Sequence, residues 1–296
     1  MNEYRHVTRR DFVRDGTLGA IAVGAGLTTA AHAAAAGGDK SVVALVRDEK
    51  AQNDQNAADK AVVKKMLDEA VKSVTGESNA AAGWKKLIKP DDVVGLVPTT
   101  AVNPTHPELI EAVREAVIEA GVAADRIQDV QRKKDAAAQC TALISMPALK
   151  VHWLTGLGTV MKNYITFSDK RPSDYHEANS VDLGEIWNMA TVKGKTRLIL
   201  VDALRPLFHG AGRRPSPEYL WNYNGLVAST DPVAAEAISL KIIQAKRKAF
   251  KGEEWELAPP VLCVAAADKK YNLGTSDPAK MNLKLSGWDK DLLLST

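Results

Sequence analysis

The sequence predicts an α/β fold: a mostly parallel sheet flanked by helices, in a single large domain after a signal peptide. Three observations predict it. Short β-branched runs alternate with helical periods along the chain from about residue 41 onward. Polar loops bearing Pro, Gly, His and Lys follow several of those runs, the pattern of open sheets whose ligand loops lie at strand ends. Hydrophobic content of 45% and charged content of 25% over 296 residues suit a chain with a sizeable core.

Residues 1 to about 33 read as an export signal outside the fold. Thr8-Arg9-Arg10-Asp11-Phe12-Val13-Arg14 is a twin-arginine pattern, followed by a weakly apolar Gly- and Ala-rich segment from Gly16 to Ala30. Ala31-His32-Ala33 offers a small-residue cleavage site. The apolar segment is too interrupted for a good membrane span, and no cysteine near the cut would take a lipid anchor. The expectation is passage through the twin-arginine translocation machinery to the periplasm or otherwise outside the cytoplasm. No stable membrane span is expected after cleavage.

The domain, residues 41–296, opens with a β-branched strand at 42–46 and a helix from Ala57 to Ser73, where Ala58, Val62, Met66, Leu67 and Val71 fall at helical spacing. Residues 84–90 read as a connector and 92–97 as a second strand. A polar loop from Pro98 to Pro107 carries Thr99, Thr100, Asn103 and His106, and Pro107 suits the first turn of a helix that Gly121 stops. A short strand is expected at 127–130 and a buried one at 142–146, ended by Pro147, which cannot donate to a ladder. A loop from Lys150 to Thr159 and a short helical segment with Lys162 and Asn163 follow. Residues 196–201 form a strong strand ending at Asp202. After a short strand at 226–228, Asp231-Pro232 begins a long helix to about Phe250, with the aspartate as N-cap and proline at the first position. An apolar run at 261–266 reads as a further strand, and 283–285 as a closing one. The runs at 42–46, 92–97, 142–146, 196–201 and 261–266 are expected in a common sheet.

Composition narrows the partners. A formal net charge of +3, without a long basic run or an aromatic-rich basic stripe, gives no expectation of nucleic acid. Two cysteines, Cys140 and Cys263, cannot by themselves build an iron–sulfur cluster or a cysteine-rich zinc site. Both sit in apolar runs, as buried thiols or, in an oxidising compartment, as one disulfide.

The most informative stretch is Cys140 to Asn163. Lys150 and His152 precede a Thr-Gly-Leu-Gly-Thr turn, and Lys162 and Asn163 follow it. Glycines admit close backbone approach, and lysines around such a turn suit a small anionic ligand. The spacing matches neither a P-loop nor a dinucleotide fingerprint. His106, His152, His176 and His209 all fall in expected loops beside strand ends or helix starts. Lys150, His152, Lys162, Asn163, His176, Asp202 and His209 are therefore expected to converge on one cleft. In that cleft His152, His176 and Asp202 are the catalytic candidates; Lys150, Lys162, Asn163, His209 and His106 are the ligand-binding ones. Imidazoles and carboxylates without thiolates would suit a divalent metal such as zinc, nickel, manganese or iron, so the cofactor is left open. No Ser-His-Asp order or nucleophile elbow supports a serine hydrolase.

Several pieces resemble the domain-of-unknown-function 362 family: Val42-Val43-Ala44-Leu45-Val46-Arg47, Asp91-Asp92-Val93-Val94-Gly95, Thr105-His106-Pro107-Glu108-Leu109 and Pro147-Ala148-Leu149-Lys150-Val151-His152. Lys162-Asn163, His176, Val201-Asp202-Ala203-Leu204 and Ser229-Thr230-Asp231-Pro232-Val233-Ala234 continue the series in order. Two positions depart from the family pattern. Leu96-Val97-Pro98 replaces a lysine–valine–asparagine, and Glu236 replaces an aspartate. The resemblance implies an α/β fold and export and carries no established activity. Two functions remain open from sequence: an enzyme acting on a small anionic substrate, with or without a metal, and an exported protein that holds an anion or a metal without turnover.

Overall fold

A computed structural model describes residues 40–210, 212 and 214–294. The expected export signal lies outside the described residues. Along the chain come β1 (Ser41–Arg47), α1 (Lys60–Thr75), α2 (Ala80–Leu87), β2 (Val94–Pro98), α3 (Pro107–Glu119), β3 (Ile127–Asp129), α4 (Lys134–Gln139) and β4 (Ala142–Met146). They are followed by β5 (Ala148–His152), β6 (Gly156–Leu157), α5 (Gly184–Trp187), β7 (Thr196–Leu207), β8 (Gly225–Ser229), α6 (Pro232–Lys251), α7 (Cys263–Lys269) and β9 (Met281–Gly287). The main sheet has the order β3-β2-β4-β7-β8-β1-β9. Its pairs are parallel except where β8 runs against β7 and β1.

Strand alternation divides the core into two layers. Leu198, Leu200, Leu204, Ile144 and Leu96 face α1, α2 and α3. Ile199, Val201, Ala203, Leu143 and Val97 face α6, α7 and the segment from Leu157 to Trp187. The result is a three-layer α/β/α domain, as the alternation of runs predicts. Cys140 and Cys263 are buried free thiols. Among the described residues no helix is long and apolar enough to cross a membrane.

Three expectations are corrected. Residues 263–269 are helical, not a strand: Cys263, Val264 and Ala267 are the buried positions, a helical spacing that a short apolar run conceals. The expected connector at 84–90 is largely α2, whose start Asn79 caps by accepting the Ala82 N–H at 2.9 Å. Lys150 and His152 lie in a strand, not a loop. Pro147 interrupts the ladder without ending the run, so β4 and β5 both lie along the unusually long β7. Leu143 pairs with Thr196 and Ala148 with Asp202, and a register shift brings Lys150 to Leu207. β5 then turns into β6 as a tight hairpin. Gly156, at a φ of 70°, packs against the Pro259 carbonyl, where a side chain would collide.

Candidate functional site: a cationic cluster at the carboxyl edge of the sheet

The loop from Thr99 to His106 follows β2 and crosses the ends of β4 and β7. Thr105 Oγ1 donates to the Met146 carbonyl at 2.6 Å and accepts the Thr99 N–H at 2.9 Å. Thr99 Oγ1 in turn accepts the Ala148 N–H at 3.1 Å, and Asn103 Nδ2 donates to the Arg205 carbonyl at 3.0 Å. At the loop's tip Val102 and Asn103 have φ of 49° and 57°. For β-branched Val102 this is a strained conformation. Lys150 holds it: Nζ donates to the carbonyls of Ala101 at 2.6 Å and Val102 at 2.5 Å.

Lys150 is 8% exposed. Burial, then the charges of Lys162 and Arg132, pull its pKa down from 10.5 to about 7, a penalty on the order of 5 kcal/mol for keeping the proton. The two carbonyls act the other way and favour the ammonium form. Lys162 is half-buried, and burial followed by Arg132 lowers it to about 8. Its ammonium has no hydrogen bond or ion pair among the described residues. Arg132, exposed in the turn after β3, is likewise unpartnered among them.

Two imidazoles complete the cluster. Burial, Lys162, His176 and Lys150 together push His152 down to about 3, so its ring is neutral at ordinary pH. Its Nδ1 accepts the Leu154 N–H at 3.2 Å, which places the ring proton on Nε2, a donor. His176 stacks on it with centroids 5.6 Å apart and planes 21° apart. Burial and Lys162 lower its pKa as well, and its Nε2 is buried without a partner among the described residues. Beside it Ala178, Asn179 and Ser180 all have left-handed φ. Trp153, 68% exposed, sits next to His152 at the hairpin turn.

Glu236 of α6 holds the turn that carries Lys162. It is fully buried, and its carboxyl oxygens accept the Val160 N–H at 2.7 Å and the Met161 N–H at 3.3 Å. Burial pushes its pKa up to about 7. Asn163, the next residue after Lys162, is pinned by Nδ2 to the Val97 carbonyl at 2.8 Å and to Ser145 Oγ at 2.9 Å.

The loop's far end forms a separate pair. Asp202 Oδ2 accepts both the backbone N–H of His106 at 2.7 Å and its Nδ1 proton at 2.8 Å, while Oδ1 accepts the Leu204 N–H at 3.0 Å. His106 Nε2 meets Gln52 Nε2 at 3.4 Å. Burial lowers the proton affinity of His106, but the bond to Asp202 and its charge outweigh this, so its pKa is raised.

The expected convergence is therefore partial. Lys150, His152, Lys162 and His176 act on one another electrostatically, and Asn163 adjoins Lys162. Asp202 is turned to His106 and is not among the charges felt by the lysines. His209 points elsewhere: Nδ1 lies 3.1 Å from Arg247 Nη1, and the ring packs on Tyr219 and Trp255. The sequence reading missed Arg132, although Gln131-Arg132-Lys133-Lys134 directly after a strand is a visible basic signal. It also missed Glu236 as a support, since a carboxylate within a helix repeat gives no sign of what it caps.

The donor set does not fit a divalent metal at this cluster. His152 and His176 lie in the field of Lys162, which opposes a dication, and His152 Nδ1 already accepts the Leu154 N–H. Among the described residues no group of three or more His, Cys, Asp or Glu side chains is arranged to hold a metal ion.

Among known proteins, no curated protein and no solved structure matches the chain. The pieces of resemblance at 42–47, 91–95 and 105–109 fall outside the span matched by a family model. Residues 124–241, which carry Arg132, Lys150, His152, Lys162, Asn163, His176, Asp202, His209 and Glu236, match the family described as domain of unknown function (DUF362).

Proposed function

We propose that this protein binds a small anion in the cluster of Lys150, Lys162, Arg132, His152 and His176. One observation carries the reading: among the described residues Lys162 and Arg132 have no acidic partner, and the charges acting on the two lysines and two histidines are cationic. Like charges held together out of water are costly, and a bound anion removes that cost. The ligand would meet the Lys162 ammonium, the Arg132 guanidinium and the His152 Nε2–H. Lys150 serves chiefly to fix the 99–106 loop beside them. Asp202 serves His106, so it is an orienting residue rather than a ligand of the anion.

A second reading, proton transfer on the bound anion, is favoured by His176, whose Nε2 is buried without a partner among the described residues. We place the protein outside the cytoplasm on the strength of the pattern from Thr8 to Arg14, with the twin-arginine translocation machinery as its partner during export.

Mass spectrometry of small molecules released from natively purified protein tests the binding reading. The expected result is a stoichiometric anionic compound that is absent from Lys162→Met. Equal recovery from both proteins would oppose it. Solvent deuterium exchange into the identified compound separates turnover from simple binding.

A further inference from the structure

The kind of anion can be narrowed, on the assumption that the anion-binding reading above holds. We infer that the ligand presents a dianionic tetrahedral oxyanion, a phosphoryl- or sulfate-type head, rather than a single carboxylate. Lys162 and Arg132 have no acceptor among the described residues, and Lys150 adds a third cation whose two visible bonds go to neutral carbonyls. A monoanion would leave one of the first two without a counter-charge, Lys162 half-buried or Arg132 exposed. A dianion balances both and draws Lys150 toward full protonation.

Donor geometry points the same way. Lys162 offers three N–H groups in a cone, Arg132 a planar fork, and His152 one Nε2–H whose position is fixed because Nδ1 accepts from Leu154. His176 presses against His152, bringing a second neutral ring with an unpartnered buried nitrogen. These donors come from four separate segments: the turn after β3, the end of β5, the turn held by Glu236, and the segment before α5 that carries His176. A carboxylate offers two oxygens whose lone pairs lie near one plane, fewer acceptor directions than donors from four segments can use. A tetrahedral head has three or four oxygens pointing in separate directions. The same head belongs to a free ion or to the end of an ester. Trp153, exposed at the lip of the cluster, provides a surface for an ester's organic part.

The test is isothermal titration of the full-length mature protein with sulfate, orthophosphate, phenyl phosphate, acetate and benzoate. The expected result is that the dianions bind at least tenfold more tightly than the monocarboxylates. Lys162→Met should lose that preference, while Lys162→Arg should keep part of it. Phenyl phosphate binding more tightly than orthophosphate would assign the head to an ester, and equal affinities would assign it to the free ion. The pH profile is a second readout. A phosphate monoester gains its second charge near pH ~6, and Lys162 loses its proton near 8, so phenyl phosphate affinity should rise and then fall across that interval. Sulfate should show only the fall. Monocarboxylates binding as well as the dianions would overturn this inference and leave the anion site standing. Absence of binding by every anion, with the Lys162→Met protein folded and identical to wild type, would overturn both.

Discussion

Asp202 accepts two hydrogen bonds from His106 through one carboxylate oxygen, from the backbone N–H at 2.7 Å and from Nδ1 at 2.8 Å. Its other oxygen takes the Leu204 N–H. This arrangement decides how the charges on the sheet's carboxyl edge divide. The carboxylate best placed by sequence to balance Lys150 and Lys162 is turned instead to the residue that precedes α3, whose backbone N–H and ring proton it accepts. The two lysines are left with cationic neighbours.

The His106–Asp202 pair should make stability depend on pH. The folded-state pKa of His106 is raised above 6.5. The stabilisation is therefore fully present below the unfolded value and is lost as pH rises through the folded one. Urea denaturation should show His106→Gln less stable than wild type by about 1–3 kcal/mol on the acid side, with the gap narrowing above the folded pKa. A gap independent of pH would remove the ionic part of the pair.

Lys150 and Lys162 should respond in opposite ways to the same substitution. Lys150→Met strands the carbonyls of Ala101 and Val102 and should cost about 1–3 kcal/mol toward pH 10.5, where the penalty of burying the Lys150 proton has faded. Lys162→Met removes a charge with no partner among the described residues and should leave stability equal or higher. Lys162 has its folded pKa lowered to about 8, by burial and by Arg132. Its protonated form thus penalises the fold fully below that value and progressively less toward 10.5. The gain from Lys162→Met should follow that course in thermal melts at several pH values. A destabilised Lys162→Met would mean that the side chain is held by a contact of its own.

Glu236 should affect the ligand without touching it. Glu236→Gln keeps one acceptor for the Val160 and Met161 N–H groups where wild type has two, so the turn bearing Lys162 should loosen. Anion affinity should drop several-fold, and stability by about 1–3 kcal/mol. With a folded pKa raised from 4.5 to about 7 by burial, wild type loses stability as pH rises across that interval, and the variant does not. The stability difference should therefore shrink with pH. Unchanged affinity would confine Glu236 to the core.

Much of the fold was legible because β7, α6 and β2 carry unambiguous local signals: a β-branched run, an Asp-Pro start, and an apolar run flanked by turns. The failures are specific. Residues 263–269 are Ala-rich and short, so strand and helix periods cannot be told apart in them. Pro147 reads as a strand terminus because it lacks a donor. In the structure its carbonyl still accepts the Asp202 N–H at 2.8 Å, and the run continues as β5. At the site, Lys150, His152, Lys162 and His176 could be grouped because they share a strand end and its following turns. Asp202 and His209 could not be sorted, because their destinations depend on α3 and on the Trp255 region, distant in sequence and unmarked by any motif.

Export is a separate expectation from the site. Arg9→Lys with Arg10→Lys should leave uncleaved protein in the cytoplasm, read by fractionation and mass. Normal cleavage and export of that double variant would contradict a twin-arginine route.

Anion binding would place the ligand in the space among Lys162, Arg132, His152 and His176. A crystal soaked in selenate, with anomalous data collected at the selenium edge, tests it most directly. The expected result is one strong peak within hydrogen-bond reach of Lys162 Nζ and His152 Nε2, absent in Lys162→Met crystals. Peaks only at surface lysines, with none in the cluster, would contradict it.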